Sequence, residues 1–188
     1  MGVTVMEQRR KIHPHKFTLW VAIASMLMMF AGFTSAYIVK RNQAGWFTFE
    51  IPTVLWYSTA VIILSSITMW MAERKFKQRE MQAYRGLLTA TFLLGLLFVA
   101  LQTIGFVSLT KNGLPLQKSV SVSFLYIIVG VHALHVVGGI IAMLVIFIKA
   151  FSRKVRTYNI VPVEVMSTYW HFVDILWIYL LVFLLMIR

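Results

Sequence analysis

The chain has 188 residues, of which 60% are hydrophobic and only 13% charged, about half the charged share of an ordinary soluble domain. It contains no cysteine, which excludes disulfides, thiolate metal sites and cysteine nucleophiles. The formal charge of +12 falls in short clusters between long apolar runs, a distribution that marks a multispan membrane protein and argues against nucleic acid as the partner.

In chain order, residues 1–16 form a basic tail carrying Arg9, Arg10, Lys11 and Lys16. The first apolar run, Phe17–Val39, is 23 residues long. A secretory signal has an apolar core of roughly 7–15 residues, so this run is read as a retained span. Four more runs follow: Val54–Met71, Leu87–Leu109, Val120–Ile148 and Val163–Ile187. Each approaches the roughly 20 residues that one helical bilayer crossing needs, and none shows the alternation of a barrel strand. The connections are short, and there is no internal repeat or low-complexity stretch. The predicted fold is therefore all-α: an integral membrane bundle of five transmembrane helices in a single domain spanning 17–188.

Cation placement sets the expected orientation. Arg9, Arg10, Lys11 and Lys16 precede the first span. Arg74, Lys75, Lys77, Arg79 and Arg85 are assigned to the second loop, and Lys149, Arg153, Lys154 and Arg156 to the fourth. These regions share one side and hold 13 of the 18 cations. The positive-inside rule puts that side, with the N-terminus, in the cytoplasm and the C-terminus outside. Attraction to anionic lipid is a secondary consequence.

Ionisable groups within a bilayer are costly and mark function or specific packing. Here they are His132 and His135 in the fourth span and His171 and Asp174 in the fifth, with Glu164 at the cytoplasmic mouth of the fifth. Each internal pair is spaced i, i+3 and shares a helix face. At about 1.5 Å per residue, His171 lies roughly 12 Å and Asp174 roughly 16 Å inside the membrane, and His132 roughly 12 Å from the same surface. The two polar faces are therefore expected to meet each other or a shared lipid-lined cavity.

Three chemistries compete for these groups. The three histidines offer a bis-imidazole haem site, as in a small b-type cytochrome, although the only cross-helix pairs join His171 to His132 or His135 on adjacent spans. A proton or ion path needs a polar chain across the membrane, and this cluster has no evident continuation on the outer side. Structural hydrogen bonding that fixes helix pairing, at about 1 kcal/mol per bond, is the simplest reading.

The remaining features suit packing. Gly130, Gly138 and Gly139 allow close approach to the fourth span, and Gly95 and Gln102 serve the third, Gln102 by bonding across helices. Trp20, Trp46, Trp56, Trp70, Trp170 and Trp177 mostly fall near span ends and read as interfacial anchors. His13 and His15 read as solvated headgroup-level residues. There is no Gly-rich phosphate loop, Ser–His–Asp ordering or carboxylate pair at catalytic spacing. The chain reads as a membrane subunit without a catalytic centre of its own. A transporter reading lacks the expected repeat and the broken helices at the midplane.

A family resemblance extends this reading. The segment "YWHFVDILWIY" (Tyr169–Tyr179), with Glu164 seven residues before His171, resembles the last-helix signature of cytochrome c oxidase subunit III. "GVHALHVVGG" (Gly130–Gly139) resembles that family's "GFHGxHV" helix. "LWVAIASMLMMFAGFTSAYIV", the Ser65–Ser66 pair in "VIILSSITMW" and "GLLFVALQ" (Gly95–Gln102) are similar to three further helices, in the right order. The resemblance covers all five spans and matches the five-helix bacterial form. Met26 in "SMLMMFAG" and Gly105 in "QTIGF" stand where that family often has carboxylates, so roles built on those acids do not carry over.

The resemblance implies a subunit III that binds no haem or copper itself. Both belong to subunit I, where oxygen is reduced to water and protons are pumped. It implies packing on subunit I beside other oxidase subunits, retention of phospholipids, support of proton uptake and a place in a bacterial plasma membrane, in some cases within a respiratory supercomplex. Glu164, His132, His135, His171 and Asp174 are then helix-packing and lipid-contact groups. Quinol oxidases have an equivalent subunit, and some nitric oxide reductases are accompanied by a five-helix relative. No motif in the chain contacts an electron donor, so these assemblies remain alternatives.

Overall fold

The computed structural model describes residues 14–41, 53–111, 120–151 and 159–187. Five helices occupy them: α1 (Pro14–Lys40), α2 (Val54–Lys77), α3 (Met81–Lys111), α4 (Val120–Phe151) and α5 (Val161–Ile187). All five are long and apolar enough to cross a membrane, and no strand occurs among the described residues. The tail cations Arg9, Arg10 and Lys11, together with His13 and Trp46, lie outside the described residues, while Lys16 belongs to the first turns of α1.

The helices outrun the apolar segments at the charged end. α2 continues six residues past Met71 and α3 begins six before Leu87. Arg74, Lys75, Lys77 and Arg85, expected in a loop, are therefore helical. Hydropathy falls where the chain leaves hydrocarbon, but the helix continues because it still satisfies the backbone. Cations in the last turn of α2 also complement its dipole, and Glu73 pairs with Lys77 one turn on at 2.6 Å.

That leaves three residues to reverse the chain. Gln78 caps α2. Arg79 N–H then donates to Phe76 O and Glu80 N–H to Lys75 O, both at 3.0 Å, which is the Schellman pattern. It requires a left-handed residue, and Arg79 supplies it with φ of 62°, a conformation that glycine adopts more readily. At the start of α5, Asn159 Oδ1 accepts the Val161 N–H at 3.1 Å. Pro162 sits in the first turn, where its missing N–H leaves no intrahelical bond unmade.

α5 organises the bundle. Half of its apolar window is buried, against 22–28% in the other helices. It packs on α1, α2 and α4, while α4 also meets α1 and α3, and α3 meets α2. Among the described residues the backbones of α1 and α2 do not approach each other closely. α2 turns Ser58, Ile62, Ser65, Met69 and Ala72 inward, a stripe rich in small residues that allows close helix approach.

Candidate functional site

The polar groups gather around α5 in three places. At the charged end, Glu164 in the first turn of α5 receives Lys16 of α1 at 2.7 Å and Lys77 of α2 at 3.2 Å. Lys77 also holds Glu73. Four charges thus tie together the ends of three helices. The groups are partly exposed, so each pair contributes at most about 1 kcal/mol. Beside them lies a cavity of about 230 Å³ lined by Lys16, Trp20, Glu73, Glu164 and Thr168, among others. Sequence reasoning singled out Glu164 but not its partners. The available signal was Glu73, an acid four residues before Lys77 at an otherwise basic helix end.

The second place is the α2–α5 contact. Trp170 and Trp177 are each only 1% exposed. This corrects their reading as interfacial anchors: they are core residues of the bundle. Trp20, Trp56 and Trp70, by contrast, are exposed on the helix surfaces, as anchors require. The physical reason is that α2 offers acceptors for both indoles. Trp170 Nε1 donates to Ser65 Oγ at 3.1 Å and Trp177 Nε1 to Thr59 Oγ1 at 3.0 Å, and a buried tryptophan needs such a partner.

Space for the Trp170 ring comes from two glycines. A Cβ on Gly95 would stand 3.0 Å from it, and one on Gly139 would stand 3.2 Å from it and 2.9 Å from Tyr169. Gly130 and Gly138 have nothing within 4 Å, so of the α4 glycines only Gly139 meets a neighbouring helix. Gln102 bonds across helices as expected, donating to Ser58 Oγ at 3.1 Å. The hydroxyl row on α2 was legible only as 58/59 and 65/66, two pairs seven residues apart in an apolar run.

The third place holds the histidines and the aspartate. His132, 1% exposed, stacks on Trp177 with centroids 5.1 Å apart and meets Phe30 and Phe98 edge-on. Neither of its ring nitrogens has a hydrogen-bond partner. His135 Nδ1 meets Val131 O at 2.8 Å, and its backbone carbonyl accepts the Tyr169 hydroxyl at 2.9 Å. His171 instead faces α2, with Nδ1 2.6 Å from Ser66 Oγ. Asp174, 3% exposed, lies beside the same hydroxyl, yet neither carboxyl oxygen makes a hydrogen bond of good geometry.

The expected meeting of the two polar faces therefore does not occur through hydrogen bonds among the described residues. His132 reaches α5 at Trp177, whose indole occupies the place where the pairs would meet, while His171 and Asp174 turn toward α2. The three histidines of the bis-imidazole reading belong to different surroundings, His135 meeting the Val131 carbonyl of its own helix. His132 is enclosed by three aromatic rings, and His171 has a ring nitrogen already engaged by a serine. Among the described residues no three His, Asp or Glu side chains cluster as a metal site.

Five membrane-length helices, four of them gathered around a tryptophan-bearing, hydrogen-bonded α5, define a multi-pass membrane subunit. The comparisons make this specific. The family described as cytochrome c oxidase subunit III matches residues 13–187. A probable cytochrome c oxidase subunit 3 of Mycobacterium bovis is 35% identical over 173 residues, covering 89% of this chain and 85% of the relative. The protein of the same description from Nocardia farcinica is 35% identical over 161 residues, covering 83% and 79%. A cytochrome bo(3) ubiquinol oxidase subunit 3 of Pseudomonas aeruginosa is 30% identical over 167 residues, covering 86% and 79%. The chain belongs to the cytochrome c oxidase subunit III family and is a subunit III of a haem-copper oxidase, associating with other oxidase subunits.

Proposed function

We propose that this chain is the third subunit of a proton-pumping cytochrome c oxidase of a bacterial plasma membrane. It packs on the haem-copper subunit I, retains phospholipids at its surface and supports proton uptake and the stability of the catalytic subunit. Its N-terminus faces the cytoplasm and its C-terminus the outside, and the haem and copper belong to partner subunits. Residues 1–16 act as a basic cytoplasmic tail, and 17–188 form one domain. The observation that carries this reading is the family match across all five helices, with relatives named for cytochrome c oxidase at 35% identity.

Two structural features support the orientation and the scaffold role. Arg74, Lys75, Lys77, Arg85 and Lys149 gather at the helix ends that also hold Lys16 and Glu164. This is the asymmetry that the positive-inside rule reads. The polar side chains of the interior, meanwhile, are spent largely on bonds between helices. One further reading has a specific observation behind it: the Pseudomonas aeruginosa relative is a ubiquinol oxidase subunit, so an equivalent place in a quinol oxidase is the alternative. Assaying the purified assembly with reduced cytochrome c and with a quinol decides between them. Fast oxidation of cytochrome c supports the proposal, and turnover with quinol alone replaces it by the alternative.

A further inference from the structure

The first two turns of α1 differ from the rest of that helix. Its buried residues begin at Ile23, and before it Pro14, His15, Phe17, Thr18, Trp20 and Val21 are exposed. The sequence has no acid between Glu7 and Glu50, and the first turn of α1 carries His15 and Lys16 but no acidic residue. A helix N-terminus presents the positive end of the dipole and unpaired N–H groups, so cations there weaken the turn and an anion strengthens it. Arg9, Arg10 and Lys11, shortly before it in the sequence, add charge of the same sign. The sequence of α1 thus leaves its own first turns without local electrostatic support.

That support comes from another helix. Lys16 Nζ donates to Glu164 Oε2 of α5 at 2.7 Å, while the Thr18 hydroxyl bonds Pro14 O within α1 itself. The second oxygen of Glu164 is held by Lys77 of α2 at 3.2 Å. Behind the pair lies the cavity of the charged end. Lys16, Leu19 and Trp20 form its α1 wall, and Glu73, Glu164, Val165 and Thr168 form the walls from α2 and α5. One ion pair therefore holds one wall of a cavity against the other. Its side chains are 41% and 23% exposed, so water and salt screen it, and such a pair biases an open–closed equilibrium by about fivefold at most. From Ile23 onward α1 is held instead by buried apolar residues, Met26 and Phe30 among them, and that packing does not depend on charge.

We propose that the first two turns of α1, residues 14–20, are a charge-operated strap, latched onto α5 by Lys16 and Glu164 and hinged at the buried Ile23. With the pair formed, the strap closes the cavity. With it broken, by high salt or by an anion that competes for Lys16, the strap moves outward and uncovers Val165 and Thr168 of α5. Opening does not strand the acid, because Lys77 holds the other oxygen of Glu164 and Glu73 completes the pairing on α2. A pair that served packing alone would gain nothing from this second cation. The arrangement suits a latch, in which one partner leaves and the other stays. This inference goes beyond the proposed function and holds whichever electron donor the assembly uses.

The chain contains no cysteine, so Thr18→Cys and Met71→Cys, both at exposed positions, give one defined spin label on α1 and one on α2. The intact oxidase is labelled, with the assembly lacking the two substitutions as background, and the distance distribution is measured by pulsed electron–electron resonance. The strap predicts one main distance at low salt. A longer distance gains up to about fivefold in share in Glu164→Gln and at about 1 M salt, where screening acts within roughly 3 Å. Glu73→Gln removes a charge of the same cluster but no bond to α1, and leaves the distribution as it was. If Glu164→Gln fails to assemble, Lys16→Gln removes the same pair from the α1 side, and the salt series needs no further variant. A distribution unmoved by salt and by loss of the pair overturns the proposal. Equal broadening in Glu73→Gln overturns it too, since the total charge of the cluster and not the latch would then hold α1.

Discussion

The two faces of α5 solve the same problem in opposite ways. One face carries Trp170 and Trp177, each buried, each bonded to an α2 hydroxyl, and Trp170 seated between Gly95 and Gly139. The other carries Glu164, Thr168, His171 and Asp174, which begin in an ion cluster and end in a carboxyl without a partner. Both faces are polar beyond what a membrane helix needs. The first uses its polarity to fix the position of its neighbours. The second leaves polarity unspent, with Asp174 buried and both its carboxyl oxygens without a hydrogen-bond partner. The difference separates a face whose polar atoms are bonded to neighbouring helices from one whose deepest polar group is buried without a partner.

The sharpest way to break this comparison is to remove its largest anchor. Trp170→Ala leaves a ring-sized hole and removes the indole bond to Ser65, so it is expected to cost about 3–5 kcal/mol and to deplete the chain from the purified assembly. Normal recovery and thermal stability would show that the tryptophan face is not what holds α5. Next come the glycines beneath that ring. Gly139→Ala forces its Cβ against Tyr169 and Trp170 and is expected to cost about 1–3 kcal/mol by overpacking. Gly138→Ala, one residue away and open, leaves the melting temperature unchanged. Equal effects at the two positions would remove the distinction.

Two smaller changes sharpen the contrast. Gln102→Leu removes the bond to Ser58 and is expected to cost about 0.6 kcal/mol, the average for hydrogen bonds between membrane helices, and at most about 1.7 kcal/mol. His132→Phe keeps the ring stacked on Trp177 and removes two nitrogens that bond nothing, so stability holds or rises. A loss above about 1 kcal/mol would mean that His132 has a hydrogen-bond partner after all. The smallest effect is expected at the turn, where Arg79→Gly relieves a left-handed arginine and gains up to about 1 kcal/mol. A lower melting temperature in that variant would contradict the assignment of strain.

Much of this was legible in the sequence. Five apolar runs of bilayer length gave five helices, because span length is set by hydrocarbon thickness and little else. Their ends were less legible: hydropathy stops at Met71, but backbone hydrogen bonding carries α2 on to Lys77. Gln102 was read correctly as a cross-helix bond because an amide in an apolar run has few other uses. Trp170 and Trp177 misled because position along a span does not say which way a residue faces. Their burial depends on Ser65 and Thr59, more than 100 residues away, and on glycines in two other helices. The separation of His132 from His171 was hidden for the same reason, since depth along antiparallel helices fixes height but not rotation.

The central claim is that this chain is a scaffold subunit of a haem-copper oxidase. Its most direct test is capture of the chain by a C-terminal tag from gently solubilised membranes. Partners are identified, and reduced-minus-oxidised spectra are recorded before and after the chain is stripped from them. The account predicts that a haem-copper subunit co-purifies and keeps all the haem absorbance. Haem absorbance that stays with this chain alone would contradict it and return His171, with His132 or His135, to the role of ligands.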